Sequence, residues 1–138
     1  MSINGSTFHG SCLCGQVRYV VNSELTSADH CHCSQCQRQH GAPFSTYADF
    51  TPGSFNWLAG VGLVKTYEVP SGGGWCFCSV CGSTLAGADN GLITSITMAT
   101  LDKEPGIKPE CHIYVGSKAN WDNIHDDLPQ YSERRPID

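Results

Sequence analysis

Cys12-Leu13-Cys14-Gly15, close to the N-terminus, has a counterpart in Cys78-Ser79-Val80-Cys81-Gly82 in the middle of the chain. Each cysteine pair is followed at once by a glycine, which permits the tight backbone turn of a metal-binding knuckle without a Cβ clash. Two knuckles brought together from distant parts of a β fold present four sulfurs at tetrahedral positions, the closed arrangement of structural zinc. Such a site staples the N-terminal segment to the middle of the chain. Cys31-His32-Cys33-Ser34-Gln35-Cys36 supplies three more cysteines by itself. Catalytic zinc typically takes three protein ligands and leaves a position for water or substrate. Seven of the nine cysteines thus divide as four plus three, the arithmetic of two zinc ions, one structural and one catalytic and exchangeable.

Disulfides fit this pattern less well. Met1 to Gly10 is polar and lacks the apolar core of a secretory signal, so a reducing cytoplasm is the expected compartment. The cysteine count is odd, and a CxC pair makes a strained bridge. The 138 residues amount to one ordinary domain, expected to span 1–138, with 40% hydrophobic and only 15% charged residues. No apolar run approaches a membrane span. The net charge of −5, with eight scattered Lys and Arg and only Arg134-Arg135 adjacent, leaves no basic stripe for nucleic acid.

Helical periodicity is scarce. Short segments rich in β-branched and aromatic residues recur at 16–21, 44–48, 63–69, 92–98 and 111–115, punctuated by the fifteen glycines and seven prolines. They predict a mainly β domain of antiparallel strands. Ser71-Gly72-Gly73-Gly74 reads as a hairpin tip. One short helix is expected over Gln35–His40, capped by Ser34, stopped by a left-handed Gly41 and followed by Pro43. That helix places Cys33 before the cap and Cys36 in the first turn, where free N–H groups and the helix dipole favour thiolates.

Cys31 and Cys33 point to one face of an extended segment, and the turn into the helix brings Cys36 around. Three thiolates around Zn²⁺ carry a net charge of −1. So electron-rich a metal is a weak Lewis acid, better suited to holding a substrate thiol as thiolate than to making hydroxide. A histidine or a water could instead complete a second structural site. His30 and His32 point away from the cysteine face, whereas His40 lies one helical turn beyond Cys36 and could reach. Cys76 shares a strand face with Cys78 and, like Cys111, is expected to pack in the core. Cys111 and His112, adjacent on a strand, face opposite ways and make a poor nucleophile–base pair.

Gly10-Ser11-Cys12-Leu13-Cys14-Gly15-Gln16-Val17-Arg18-Tyr19, then Cys31 to Cys36 with Gly41, then Phe77-Cys78-Ser79-Val80-Cys81-Gly82-Ser83, resemble in order the glutathione-dependent formaldehyde-activating enzyme family, which includes the centromere protein V group. The tail His112-Ile113-Tyr114-Val115 with Trp121, Ile124 and Asp127-Leu128-Pro129 is similar too. The resemblance implies zinc-pinned antiparallel sheets in a β-tent. It also implies structural ligands at Cys12, Cys14, Cys78 and Cys81, and exchangeable catalytic zinc on Cys31, Cys33 and Cys36. The implied activity is that of a carbon–sulfur lyase interconverting S-(hydroxymethyl)glutathione with glutathione and formaldehyde. The implied partners are therefore a small thiol and a small aldehyde, with homo-oligomerisation left open. Trp75-Cys76 departs from the basic or small residue expected before Phe77-Cys78.

Arg38, close to Cys36, could pair with a glutathione carboxylate or simply be a solvated surface charge. His40 and His112 are candidates for proton transfer. The alternative function is a nonenzymatic zinc-stapled interaction or chaperone-like module. A nucleobase deaminase needs Glu where Cys33 stands. A methionine sulfoxide reductase needs two CxxC pairs beside a reactive cysteine.

Overall fold

Frequent glycines, prolines and short polar turns cut the chain into brief strands. The computed structural model describes residues 6–136, so residues 1–5 of the polar N-terminal stretch lie outside it. In order, the elements are β1 (Phe8–Ser11), β2 (Arg18–Val21), β3 (Leu25–Cys31), α1 (Ser34–His40), β4 (Ser45–Phe50), β5 (Phe55–Ala59), β6 (Val64–Glu68), β7 (Gly73–Cys78), β8 (Thr84–Asp89), β9 (Leu92–Thr97) and β10 (His112–Ile113). Among the described residues no helix is long and apolar enough to cross a membrane.

The architecture is mainly β with one short helix, as the sequence predicts. β1, β2 and β5 form an antiparallel three-stranded sheet; the other strands form a seven-stranded sheet in the order β10-β3-β4-β9-β8-β7-β6. One pair departs from the antiparallel expectation: β10 runs parallel to β3, with Ile113 opposite Cys31. Parallel neighbours need a long connection, and most of the chain lies between these two. Of the expected hairpin tip, Ser71 and Gly72 lie between β6 and β7 while Gly73 and Gly74 already open β7, the turn being closed by Val69 N–H to the Gly73 carbonyl at 2.8 Å.

Alternation along the strands sorts the side chains. Tyr19 and Val21 of β2, with Val17 before it, share one buried cluster with Ala28, Ala48, Phe50, Leu85 and Ile96 of the larger sheet. Tyr19 is fully buried, its ring stacked on Phe55 at 5.2 Å and its hydroxyl 2.8 Å from Thr100 Oγ1. Gly10 makes room for it, because a Cβ there would fall 2.1 Å from the Tyr19 ring.

The opposite face of the larger sheet carries different chemistry. The cross-strand register runs Ser27–Asp49–Ser95–Gly87–Trp75–Tyr67 from β3 to β6, and beside it Asp29–Tyr47–Thr97. Gly87 lets this row close up, since a Cβ there would meet Ser95 Oγ at 2.7 Å. Cys31, two residues beyond Asp29, belongs to this face, and α1 begins just past it.

Candidate metal centres

The four knuckle cysteines meet. Cys12, Cys14, Cys78 and Cys81 bring their sulfurs within 4.8 Å of one another. Cys12 and Cys14 stand 3.6 Å apart, and Cys14 and Cys78 3.9 Å. A tetrahedron of Zn–S bonds has edges of about 3.8 Å, whereas a disulfide needs about 2 Å. All nine cysteines are free thiols. Gly15 and Gly82 both take positive φ, +80° and +82°, as the knuckle turn requires. Gly15 N–H donates to the Cys12 carbonyl at 3.0 Å, and Gly82 N–H to that of Cys78 at 2.8 Å.

Outer contacts support these sulfurs. Val17 N–H donates to Cys12 Sγ at 3.3 Å, and Gln16 Nε2 to Cys14 Sγ at 3.5 Å. Ser83 ties the two knuckles, accepting from Leu13 N–H at 2.8 Å and lying 3.4 Å from Cys81 Sγ. The Ser83 hydroxyl and N–H, with the Cys14 N–H, pull the Cys81 thiol down to about 5. Burial pushes Cys12 up, but the Val17 N–H and the Cys14 thiol outweigh it and leave Cys12 below its ordinary value. These donors favour the thiolates that zinc takes.

Cys31, Cys33 and Cys36 form the second sulfur group, again within 4.8 Å of one another. The helix cap differs from the expected one. Cys33, not Ser34, is the N-cap, its backbone extended (φ −64°, ψ 152°) and its sulfur accepting from Cys36 N–H at 3.3 Å. A thiolate accepts as a serine oxygen would, so one atom could serve helix and metal together. The Cys31 and Cys36 thiols and the Cys36 and Gln35 N–H groups hold Cys33 far below its ordinary value, while Cys33 and Cys36 push Cys31 far up. Charge thus gathers first on Cys33. A divalent cation would relieve this mutual repulsion, so the donor set fits zinc. Each group could hold a metal ion.

No histidine joins the sulfurs among the described residues. His40, a candidate fourth ligand and proton carrier, is drawn instead to Tyr47, Nε2 to Oη at 2.8 Å. His30 bonds Thr46 Oγ1 at 2.8 Å and His32 bonds His112, both turned away from the thiols as alternation requires. His112, the other proton-transfer candidate, is 2% exposed and lies on that same far side, where it cannot meet a group bound at the sulfurs. Cys111 is buried, facing away from His112. Cys76 packs on Thr66 Oγ1 at 3.3 Å, outside both sulfur groups.

The surroundings of the second group are shaped. Cys31 and Cys36 cluster with Trp75, backed by Val69, Tyr47, Ile113 and Tyr114. Arg38 is exposed and lines the cavities on both sides of α1. One, of about 290 Å³, runs to Tyr67, Val69 and Trp75; the other, of about 330 Å³, runs to Trp121. Trp75, which looks like an irregularity in sequence, is therefore a wall of the site. A larger cavity of about 440 Å³, between Phe8, His9 and Asp102, includes no cysteine.

Comparison with known proteins agrees with this geometry. The sequence profile of the family described as glutathione-dependent formaldehyde-activating enzyme matches residues 7–117. No curated protein matches the chain. Among solved structures, a Rhodobacter sphaeroides protein is similar in fold, at 22% identity and a TM-score of 0.52, over 73% of this chain and 91% of that one.

Proposed function

The chain belongs to the glutathione-dependent formaldehyde-activating enzyme family, and from that premise we propose that it is a zinc-dependent carbon–sulfur lyase interconverting S-(hydroxymethyl)glutathione with glutathione and formaldehyde. The observation that carries this reading is the group of three sulfurs at the start of α1 with no fourth protein ligand among the described residues. In the same reading Cys12, Cys14, Cys78 and Cys81 hold a structural ion, and residues 1–138 act as one zinc-stapled domain. Seven working thiolates favour a reducing compartment, the cytoplasm.

Zinc on Cys31, Cys33 and Cys36 would supply an open coordination position that favours the thiolate form of a substrate thiol. The chain's own residues do the rest. Trp75 and Val69 wall the sulfur cluster and limit water around it. Arg38 offers its guanidinium to a glutathione carboxylate from the adjoining cavity. The sulfur then attacks the formaldehyde carbon, the carbonyl electron pair moves to oxygen, and a proton from water completes the hydroxymethyl group. Uncatalysed addition is already easy, so orientation and thiol ionisation suffice.

Exchange spectroscopy tests the proposal. With zinc-loaded protein, magnetisation transfer between hydrated formaldehyde and S-(hydroxymethyl)glutathione should quicken in proportion to enzyme, and Cys36→Ser should abolish the gain. No acceleration by protein holding two zinc ions would refute the lyase reading.

A further inference from the structure

The sheet face that carries Cys31 continues past it into a cavity of about 360 Å³. Ser27, Asp29 and Cys31 point the same way on β3, with Asp49 and Tyr47 opposite the first two on β4. Ile113 and Tyr114 line this cavity and also pack against the cluster of Cys31, Cys36 and Trp75, so cavity and sulfurs share a wall. That wall is held in place. Tyr114 adopts φ +55°, which bulky residues rarely take, and its N–H donates to the Glu133 carbonyl at 2.9 Å.

The cavity's charges come in both signs, Asp29 and Asp49 from the sheet, Arg134 and Arg135 from the C-terminal segment. Two of the four are already engaged. Asp49 accepts from Ser27 Oγ at 2.9 Å, and Arg135 donates to Glu110 at 3.1 Å. Asp29 has no hydrogen bond or ion pair from any side chain among the described residues, and Arg134 makes no ion pair with a carboxylate among them. A carboxylate and a guanidinium left open in one cavity match a ligand group that is itself a zwitterion. A metal cation would suit the two carboxylates but not the two guanidiniums beside them.

We propose that this cavity is the subsite for an α-amino-acid group at the far end of the thiol substrate, Asp29 facing its ammonium and Arg134 its carboxylate. The inference rests on the thiol-binding role given above to Cys31, Cys33 and Cys36. Reach agrees with it. Asp29 and Cys31 are two residues apart on one strand face, roughly 6.6 Å, and a γ-glutamyl-cysteinyl thiol spans roughly 7–10 Å from sulfur to α-amino nitrogen. A tripeptide thiol then lies across the metal, its amino-acid arm in this cavity and its other carboxylate beside Arg38. Simple thiols fill neither arm.

Cobalt-loaded full-length protein reads this directly, because a bound thiolate adds to the thiolate-to-cobalt charge-transfer band. Glutathione, its analogue without the α-amino group, and cysteinylglycine are titrated in parallel. Loss of the amino group should weaken binding about tenfold, the worth of one charge-assisted contact. Asp29→Asn should bring that ratio towards one, and Arg134→Gln should narrow the gap between glutathione and cysteinylglycine. Ratios of affinities are insensitive to a general loss of folding or metal. Equal binding of glutathione and its deaminated analogue, or an unchanged ratio in Asp29→Asn, overturns the subsite and leaves the lyase reading standing. No band with any thiol overturns both.

Discussion

His112 Nδ1 stands 2.8 Å from His32 Nε2, a contact that joins the residue between Cys31 and Cys33 to a segment 80 residues later. On its other side His112 Nε2 donates to Asp126, 2.9 Å from Oδ2. The carboxylate fixes the tautomer: His112 Nδ1 accepts, and His32 Nε2–H donates. Gln37 of α1 adds to the brace, donating to the His32 carbonyl at 2.7 Å and to that of Ser117 at 2.9 Å. The backbone presenting Cys31 and Cys33 is thus gripped from behind.

Asp126→Ala should therefore weaken cobalt binding at the three-cysteine site by about tenfold, the usual order for loss of an outer contact. The spectrum of the four-cysteine site should stay as it is, and Asp126→Glu should recover most of the affinity. Competition with a chromophoric chelator gives the number. Equal weakening of both sites would mean the contact merely holds the fold.

Chelation should be sequential. Three protein ligands hold metal less tightly than four, and an open position admits competitors. A chelator added to protein with two zinc ions should remove one early, with the signals of Cys31, Cys33 and Cys36 moving first. A single release phase contradicts this division.

Substitutions at the two sites should differ in their effect on folding. Cys78, the first cysteine of the second knuckle, is fully buried, and Cys78→Ser should cost about 3 kcal/mol or more. Cys33→Ser should cost about 1 kcal/mol or less, because serine is a good N-cap and keeps the bond to Cys36 N–H. Thermal unfolding of the two variants settles the comparison.

Packing around Tyr19 gives a prediction independent of metal. Gly10→Ala forces a methyl into the Tyr19 ring and should destabilise by about 1–3 kcal/mol. Burial also raises the Tyr19 hydroxyl from 10 to about 12. With the folded value the higher one, this contribution is intact below pH 10 and is lost as pH rises towards 12, by about 3 kcal/mol in all. Tyr19→Phe should flatten that part of the alkaline unfolding profile.

Local features of the fold were legible where the chemistry is local. Both knuckles, the division of sulfurs, Gly41 as a left-handed helix stop (φ +60°) and the β6–β7 hairpin all follow from residue type and spacing. Alternation also located β2, β4, β6, β9 and β10, with shifted ends. It passed over β1 and β3, which mix glycine, serine, aspartate and histidine, over β5 and β8, and over β7, whose Gly73 and Gly74 read as a hairpin tip. Those residues face a polar site or admit a neighbour, so tertiary contact rather than propensity made them strands. The Cys33 cap was hidden because a thiol caps well only as a thiolate, a state its neighbours create. The cavity lined by Asp29 and Arg134 could not be seen at all, since these residues come together only through the fold.

The parallel pairing of β10 with β3 bears on how the protein is made. His112 and Ile113 leave the ribosome long after Cys31, Cys33 and Cys36. Until they arrive β3 is an edge strand with open N–H and C=O groups beside three reactive thiols. Early metal capture at those thiols would therefore protect the growing chain from stray strand pairing and oxidation, and starving cells of zinc should harm newly synthesised protein more than protein already folded.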